Sequence, residues 1–176
     1  MKRLLYLQLI VFLSINCFGQ KLAENKVDEF TKASVKRTSW ELLTKKGIYS
    51  NVRLSYIDDR RYLDIKFMQS GYIGFGGSIF SIRDGENISF KMSNDSIINL
   101  SVPKYEIACS GCGAVGLIGL QAYGIGINIP LNDSIIAVLS STPVVKIRIY
   151  TTDGYIEADV PAKNQDLLKK EFALLK

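Results

Sequence analysis

Two cysteines three positions apart, in Cys109-Ser110-Gly111-Cys112, have the most capacity for chemistry in this sequence. Such a pair can be a redox dithiol, half of a zinc site or a small structural disulfide. A thioredoxin-type dithiol sits between a strand and a long helix, and the glycine-rich run after Cys112 is poor material for a helix. Zinc needs two further ligands. The chain has no histidine, and its one other cysteine, Cys17, lies in a segment expected to be cleaved. A structural disulfide is the favoured reading, ahead of free thiols and a redox pair. The lack of histidine also removes Ser-His-Asp triads, histidine metal sites and a histidine base or pH switch.

The cysteines open an unusual stretch. From Ile107 to Asn132 there is no charged residue, and six glycines interrupt it, at 111, 113, 116, 119, 124 and 126. Four readings compete. Gly111 to Gly116 fits G-x-G-x-x-G, but a dinucleotide site needs a helix after the glycines, and Gly119, Gly124 and Gly126 break one. The length would span a membrane as a helix, yet each interior glycine costs about 1 kcal/mol relative to alanine, and Gln121, Asn128 and Pro130 intervene. The third reading is an apolar binding loop or membrane-contacting flap, pinned at its base by the disulfide. The fourth is a covered loop ending in a strand at Gly126–Leu131. If the domain has a functional surface, Gly113, Val115, Leu117, Ile118 and Leu120 are its candidates, because glycines permit close backbone approach and the aliphatic side chains supply apolar contact.

No other group stands at a spacing that catalysis demands. Asp58 and Asp59 are adjacent in a turn and should point apart into water. Gly76-Gly77-Ser78 lacks the flanking pattern of a nucleophile elbow. The Asn-x-Ser triplets at Asn87, Asn94, Asn99 and Asn132 would accept glycans only in a eukaryotic secretory pathway. No catalytic residue, metal or cofactor is expected.

These residues need a scaffold, and period-2 alternation says it is built of strands. Apolar matching pairs Val52 with Ile65 and Leu54 with Leu63 around Asp58-Asp59, placing Arg53 opposite Asp64. A three-residue loop at Asp84-Gly85-Glu86 sets Ile82 against Ile88 and Phe80 against Phe90. A loop at Asn94-Asp95-Ser96 pairs Met92 with Ile98, Phe90 with Leu100 and Ile88 with Val102. Those three strands would form a meander. Asp153-Gly154 reads as a two-residue turn that pairs Ile149 with Ala158, Ile147 with Val160 and Arg148 with Asp159. Val27–Thr31 and Val35–Leu42 read as two more strands, with Trp40 as a core anchor whose N–H is bonded.

Helical spacing appears twice. Ile135, Ile136, Val138 and Leu139 give a short helix near 134–140 capped by Asp133. Pro161 opens a C-terminal helix with a stripe of Leu168, Phe172 and Leu175, leaving Lys169, Lys170 and Glu171 mostly outside. The expected fold is α+β: antiparallel hairpins with this amphipathic helix packed on one face.

The chain's start supplies an address. Met1-Lys2-Arg3 precedes an apolar run from Leu4 to Ile15 and then Asn16-Cys17-Phe18-Gly19-Gln20, the layout of a secretory signal peptide. Residues 1–19 should be removed, leaving a single domain at 20–176. Losing Lys2 and Arg3 takes the net charge from +5 to +3, too little to argue for nucleic acid. Lipidation at Cys17 is the rival, but Asn16 and Ser14 do not suit signal peptidase II. The end of the signal at Phe18-Gly19-Gln20, with Val27–Thr31, Lys36–Glu41 and Lys146–Val160, resembles uncharacterised exported proteins of the Bacteroidota. That resemblance implies export and an antiparallel fold, and it transfers no functional residue.

The expectation is an exported, non-enzymatic binding module, periplasmic or at the cell surface, meeting an envelope protein or a membrane surface. A thiol–disulfide protein using Cys109 and Cys112 and an envelope structural subunit are the alternatives. The intact mass of the exported product should begin at Gln20. A lipid-bearing product that begins at Cys17 would refute the soluble reading.

Overall fold

Alternation between Val52 and Phe67 produces the central ladder of the fold. The computed structural model describes residues 21–46, 48–69, 80–120 and 122–175. The signal segment, Cys17, Gly76-Gly77-Ser78 and Ile79 lie outside them. Strands β4 (Ile48–Ile57) and β5 (Arg60–Gln69) pair antiparallel, with Val52 opposite Ile65, Arg53 opposite Asp64 and Leu54 opposite Leu63, as the apolar matching requires. Asp58-Asp59 is the two-residue loop. Asp58 takes φ +53°, a left-handed conformation that aspartate tolerates better than most residues. Its N–H donates to the Ser34 carbonyl, and its carboxylate accepts from the Ser34 N–H at 2.9 Å, which ties the turn to the neighbouring strand.

The N-terminal strands differ from expectation. Strand β1 is Leu22–Val27, and Asp28 ends it by accepting the N–H groups of Phe30 and Thr31 in a tight turn. The expected single strand Val35–Leu42 is two, β2 (Ser34–Thr38) and β3 (Glu41–Thr44), which pair in succession along one edge of β4. The break falls at Ser39-Trp40. Trp40 is half-buried beside charged groups and is not a core anchor.

Strand β6 (Ser81–Ile82) does not form a hairpin with β7 (Asn87–Met92). It pairs with β9 (Glu106–Ile107), so the expected meander through Asp84-Gly85 is wrong. Phe80 and Ile82 still enter the same core, because alternation reports a face and not a partner. Strand β7 pairs with β8 (Ile97–Ser101) on one side and β12 (Val144–Thr151) on the other. Its register with β8 places Ile88 opposite Leu100 and Phe90 opposite Ile98, two residues from the expected pairing. Strand β13 (Gly154–Asp159) shows the same displacement. Ile147 faces Ala158, Arg148 faces Glu157, and Lys146 takes Asp159. Thr152 and Asp153 form the loop, and Gly154 with φ +118° begins the strand. Both shifts are even, so the inward faces survive them.

With β10 (Cys109–Ser110) and β11 (Tyr123–Leu131), the strands form a seven-stranded antiparallel sheet ordered β1-β2-β4-β5-β11-β10, with β3 also on β4, and a four-stranded sheet ordered β13-β12-β7-β8. Their inward residues meet in one core that includes Leu54, Ile65 and Phe67 from the first sheet and Phe90, Ile147 and Ile149 from the second. Helix α1 (Asp133–Leu139) is capped by Asn132, whose side chain accepts from the Ile135 N–H at 2.9 Å, not by Asp133.

After Pro161 comes a single 3-10 turn, Ala162–Asn164, and the C-terminal helix α2 spans only Leu167–Leu174. Asn164 bridges to β3 by donating to the Leu42 carbonyl at 2.9 Å. Leu167, Leu168, Phe172 and Leu175 are buried, and so is Glu171, against expectation. The signal was present: Glu171 is three residues after Leu168 and four before Leu175, on the same helical face. Among the described residues neither of its carboxylate oxygens has a hydrogen-bond partner. Burial pushes the carboxyl up to about 9, and the Glu41 charge adds to the rise. The Thr38 hydroxyl and, to a smaller extent, the Leu54 N–H oppose the rise, but burial outweighs them.

The folded state therefore keeps a proton that the unfolded chain, near the ordinary 4.5, gives up. Stability from this group is complete below that lower value and is lost as pH rises toward 9, by up to about 1.4 kcal/mol per pH unit. The urea midpoint of the wild type should fall across this window, and that of Glu171→Gln should stay level. A level wild-type midpoint would contradict a buried neutral Glu171.

Candidate functional site: an apolar turn seated on the central sheet

The uncharged stretch is neither a helix nor a nucleotide loop. Its described residues run through β10, a series of tight turns and β11, and among them there is no helix of the kind that a dinucleotide or membrane-spanning reading needs. Strand β11 begins at Tyr123, three residues before the expected Gly126. No helix among the described residues is long and apolar enough to cross a membrane.

Cys109 and Cys112 are joined, with Cα atoms 5.3 Å apart, and the Cys112 N–H donates to the Cys109 carbonyl within the loop they close. Cys109 is exposed and Cys112 half-buried. The pair sits where β10 meets β11, with Cys109 opposite Gly124 and Ser110 opposite Tyr123. Beyond it, the Ala114 N–H donates to Gly111 and the Ala122 N–H to Gly119. Val115 and Ile118 exchange both backbone hydrogen bonds across Gly116-Leu117. Gly116 has φ +60° and Leu117 stays at negative φ, which is the glycine-first arrangement of a type II′ turn.

The base of this turn lies flat on the outer face of β5 and β11. A Cβ at Gly113 would run into the Phe67 carbonyl, and Gly113 and Gly124 stack so closely that neither has room for a side chain. Gly119 abuts the Met68 side chain. Lys66 reaches across and donates from Nζ to the Ala114 carbonyl at 2.9 Å.

Of the sequence candidates, Gly113 is buried underneath, Val115 is half-buried and three residues point outward: Leu117 at 88% exposure, Ile118 at 57% and Leu120 at 53%. Together these amount to about two aliphatic side chains in water, so removing them from water would contribute roughly 3–6 kcal/mol. The turn presents apolar contact and no ionisable group.

Sequence reasoning did not foresee what braces it. Lys66 Nζ also stands 5.1 Å from the centre of the Trp40 ring, and the Arg53 guanidinium stands 4.4 Å from it. Arg53 Nε donates to Asp64 at 2.7 Å, the Ser55 hydroxyl donates to the same oxygen at 2.6 Å, and Asn128 donates to the other oxygen. The Arg53–Asp64 pairing was the legible trace of this network. At the far end of the sheet, an open cleft of about 300 Å³ is lined by Ser34, Lys36, Tyr56, Asp58, Asp59, Arg61 and Leu175. Asp58 and Asp59 are exposed there. Among the described residues no group of three His, Cys, Asp or Glu is placed to hold a metal.

No protein-family model, curated protein or solved structure matches this chain.

The seating of the turn can be tested by two glycine changes. Gly113→Ala forces backbone apart and should cost about 1–3 kcal/mol or more. Gly116→Ala meets open space and should cost only the left-handed penalty, about 1–2 kcal/mol. Denaturant unfolding reads both. A harmless Gly113→Ala would mean the turn does not lie on β5.

Proposed function

We propose that the mature chain is an exported, non-enzymatic interaction module of the bacterial cell envelope, and that the 113–120 turn is its contact element. The observation that carries this reading is the build of the turn. A flexible apolar loop would fold back and bury its side chains. Here the disulfide, the stacked glycines and the Lys66 hydrogen bond hold Leu117 out in water. Contiguous exposed apolar groups mark contact surfaces more often than scattered ones. The signal-like N-terminus and the resemblance to exported Bacteroidota proteins support the location. In the same reading the C-terminal helix is an amphipathic cap on one face of the sheet, supported by the burial of Leu168, Phe172 and Leu175.

The exposed Cys109 favours a second reading, a thiol–disulfide protein. Cys109 lies in β10 and Cys112 in the turn after it, and among the described residues no long helix follows of the kind that activates a redox thiol. Alkylation of the native protein in a glutathione buffer separates the two. An inert disulfide fits the module, and ready exchange fits the redox protein. An envelope structural subunit is the third class, and cross-linking in intact cells would reveal it as a fixed assembly.

Replacing Leu117 and Leu120 together by Ser tests the contact element. The unfolding midpoint should move by no more than about 0.5 kcal/mol, because exposed positions tolerate change. Retention of the mature protein on its own envelope fraction should be lost. Unfolding of the double variant, or undiminished retention, would sink the assignment.

A further inference from the structure

The proposed contact element leaves the partner open, and its shape narrows the choice. We infer that the turn inserts into a lipid surface, with Leu117 entering first; this rests on the reading of the turn as the contact element.

The geometry points to lipid in four ways. The turn is a convex tip, with Leu117 at its apex and Gly116 bare beside it, whereas a protein partner would have to offer a matching socket. Its exposed apolar surface amounts to about two side chains, far below the roughly 800 Å² per partner that a stable protein interface buries. A protein interface also has a polar rim with its own hydrogen bonds. Here Val115 and Ile118 bond each other, and the Ala114 carbonyl is taken by Lys66. Internal pairing of the backbone is what an apolar medium requires.

Among the described residues the N–H and C=O groups of Gly116 and Leu117 and the N–H groups of Gly119 and Leu120 have no backbone partner, which limits entry to the headgroup–acyl boundary, about 5–10 Å deep, where water and headgroups can meet them. Tyr123, part-exposed and paired with Ser110 at the foot of the turn, stands where an interfacial aromatic belongs. Phe30, the most exposed of the large apolar residues among the described ones at 95%, is flanked by Asp28, Glu29 and Lys32. It sits toward the Asp58 end of the sheet, through Ser34, whereas the turn lies over Met68 near the other end of β5. One flat surface would not take both tips, and the uncharged one suits lipid.

The tip carries no charge, so its binding should depend little on anionic lipid or salt, unlike a polybasic patch. The mature chain, disulfide intact, is sedimented with protein-free vesicles of phosphatidylethanolamine, with and without phosphatidylglycerol. Co-sedimentation with both is expected. The Leu117→Ser, Leu120→Ser double variant should partition roughly tenfold less or weaker still, the order expected for two aliphatic side chains withdrawn from hydrocarbon. A Leu117→Trp variant should gain blue-shifted emission with vesicles, above the constant Trp40 background. Binding to envelope fractions but not to vesicles would overturn the lipid assignment and leave the interaction module standing with a protein partner. Failure on both would end both. Vesicle binding unchanged in the double variant, or emission from the Leu117→Trp variant that ignores lipid, would also overturn it.

Discussion

The carboxylate of Asp64 lies almost out of water on the outer face of β5, where an unpaired charge would cost several kcal/mol. Three donors meet it: Arg53 and Ser55 from β4 and Asn128 from β11. The strands on either side of β5 are thus fixed in register by polar groups on the outer face as well as by apolar packing on the inner one. The consequences run outward from there. Arg53, held by Asp64, stands against Trp40. Lys66, two residues along β5 and on the same face, also approaches the Trp40 ring and donates to the Ala114 carbonyl. The apolar turn is therefore braced by a chain of contacts that begins at one buried carboxylate. The cations gain from the tryptophan by an attraction of about 0.5–2 kcal/mol each, depending on how dry the site is.

The same two-faced construction decides which parts of the fold were legible in the sequence. From Val52 onward the inward faces of the strands agree with their alternation, since period 2 encodes them directly. Partners and registers were not encoded in the same way. The two hairpins that were misplaced moved by two residues, an even number that keeps every side chain on its face. Apolar matching could not detect that shift, because it is blind to parity-conserving slips. Turn chemistry decided them: Gly154 was needed at a strand end and not inside the loop, and Asp95 accepted φ +64° so that Ser93, Asn94 and Asp95 could form the other loop. The ladder between β6 and β9 joins segments more than twenty residues apart, and two-residue strands carry no period at all.

The string Asn-Asp-Ser-Ile-Ile occurs twice, at 94–98 and 132–136, and shows local chemistry and periodicity acting separately. Its asparagine does one job in both places, accepting nearby hydrogen bonds: from Ser96 at Asn94, and from Ser134 and Ile135 at Asn132. The chain then diverges into strand β8 from Ile97 in the first copy and helix α1 from Asp133 in the second, because the asparagine's local bonding is shared while the periodicity of the next apolar residues is not. Glu171 and Trp40 were misread for a common reason. Residue type points one way and position the other: a charged side chain favours solvent and an aromatic one the core, but position wins in both cases. Helical phase places Glu171 inward, and the break between β2 and β3 places Trp40 outward.

Of the candidate site, the sequence revealed the segment and the residues, while its presentation depended on contacts that no local pattern contains. A disulfide across so short a loop removes less chain entropy than a long-range bridge would. Its effect is local, fixing the path by which the chain leaves β10. The glycines then let that chain lie directly on β5 and β11, closer than any side chain would permit. Had the turn stood off the sheet by the width of one alanine, Lys66 would lose the Ala114 carbonyl and the tip would be free to collapse onto the nearest apolar surface. The close seating and the outward Leu117 are therefore one feature. The glycine content that makes the segment a poor helix is what makes it a rigid platform, and a rigid platform is what keeps an apolar tip available to something outside the chain.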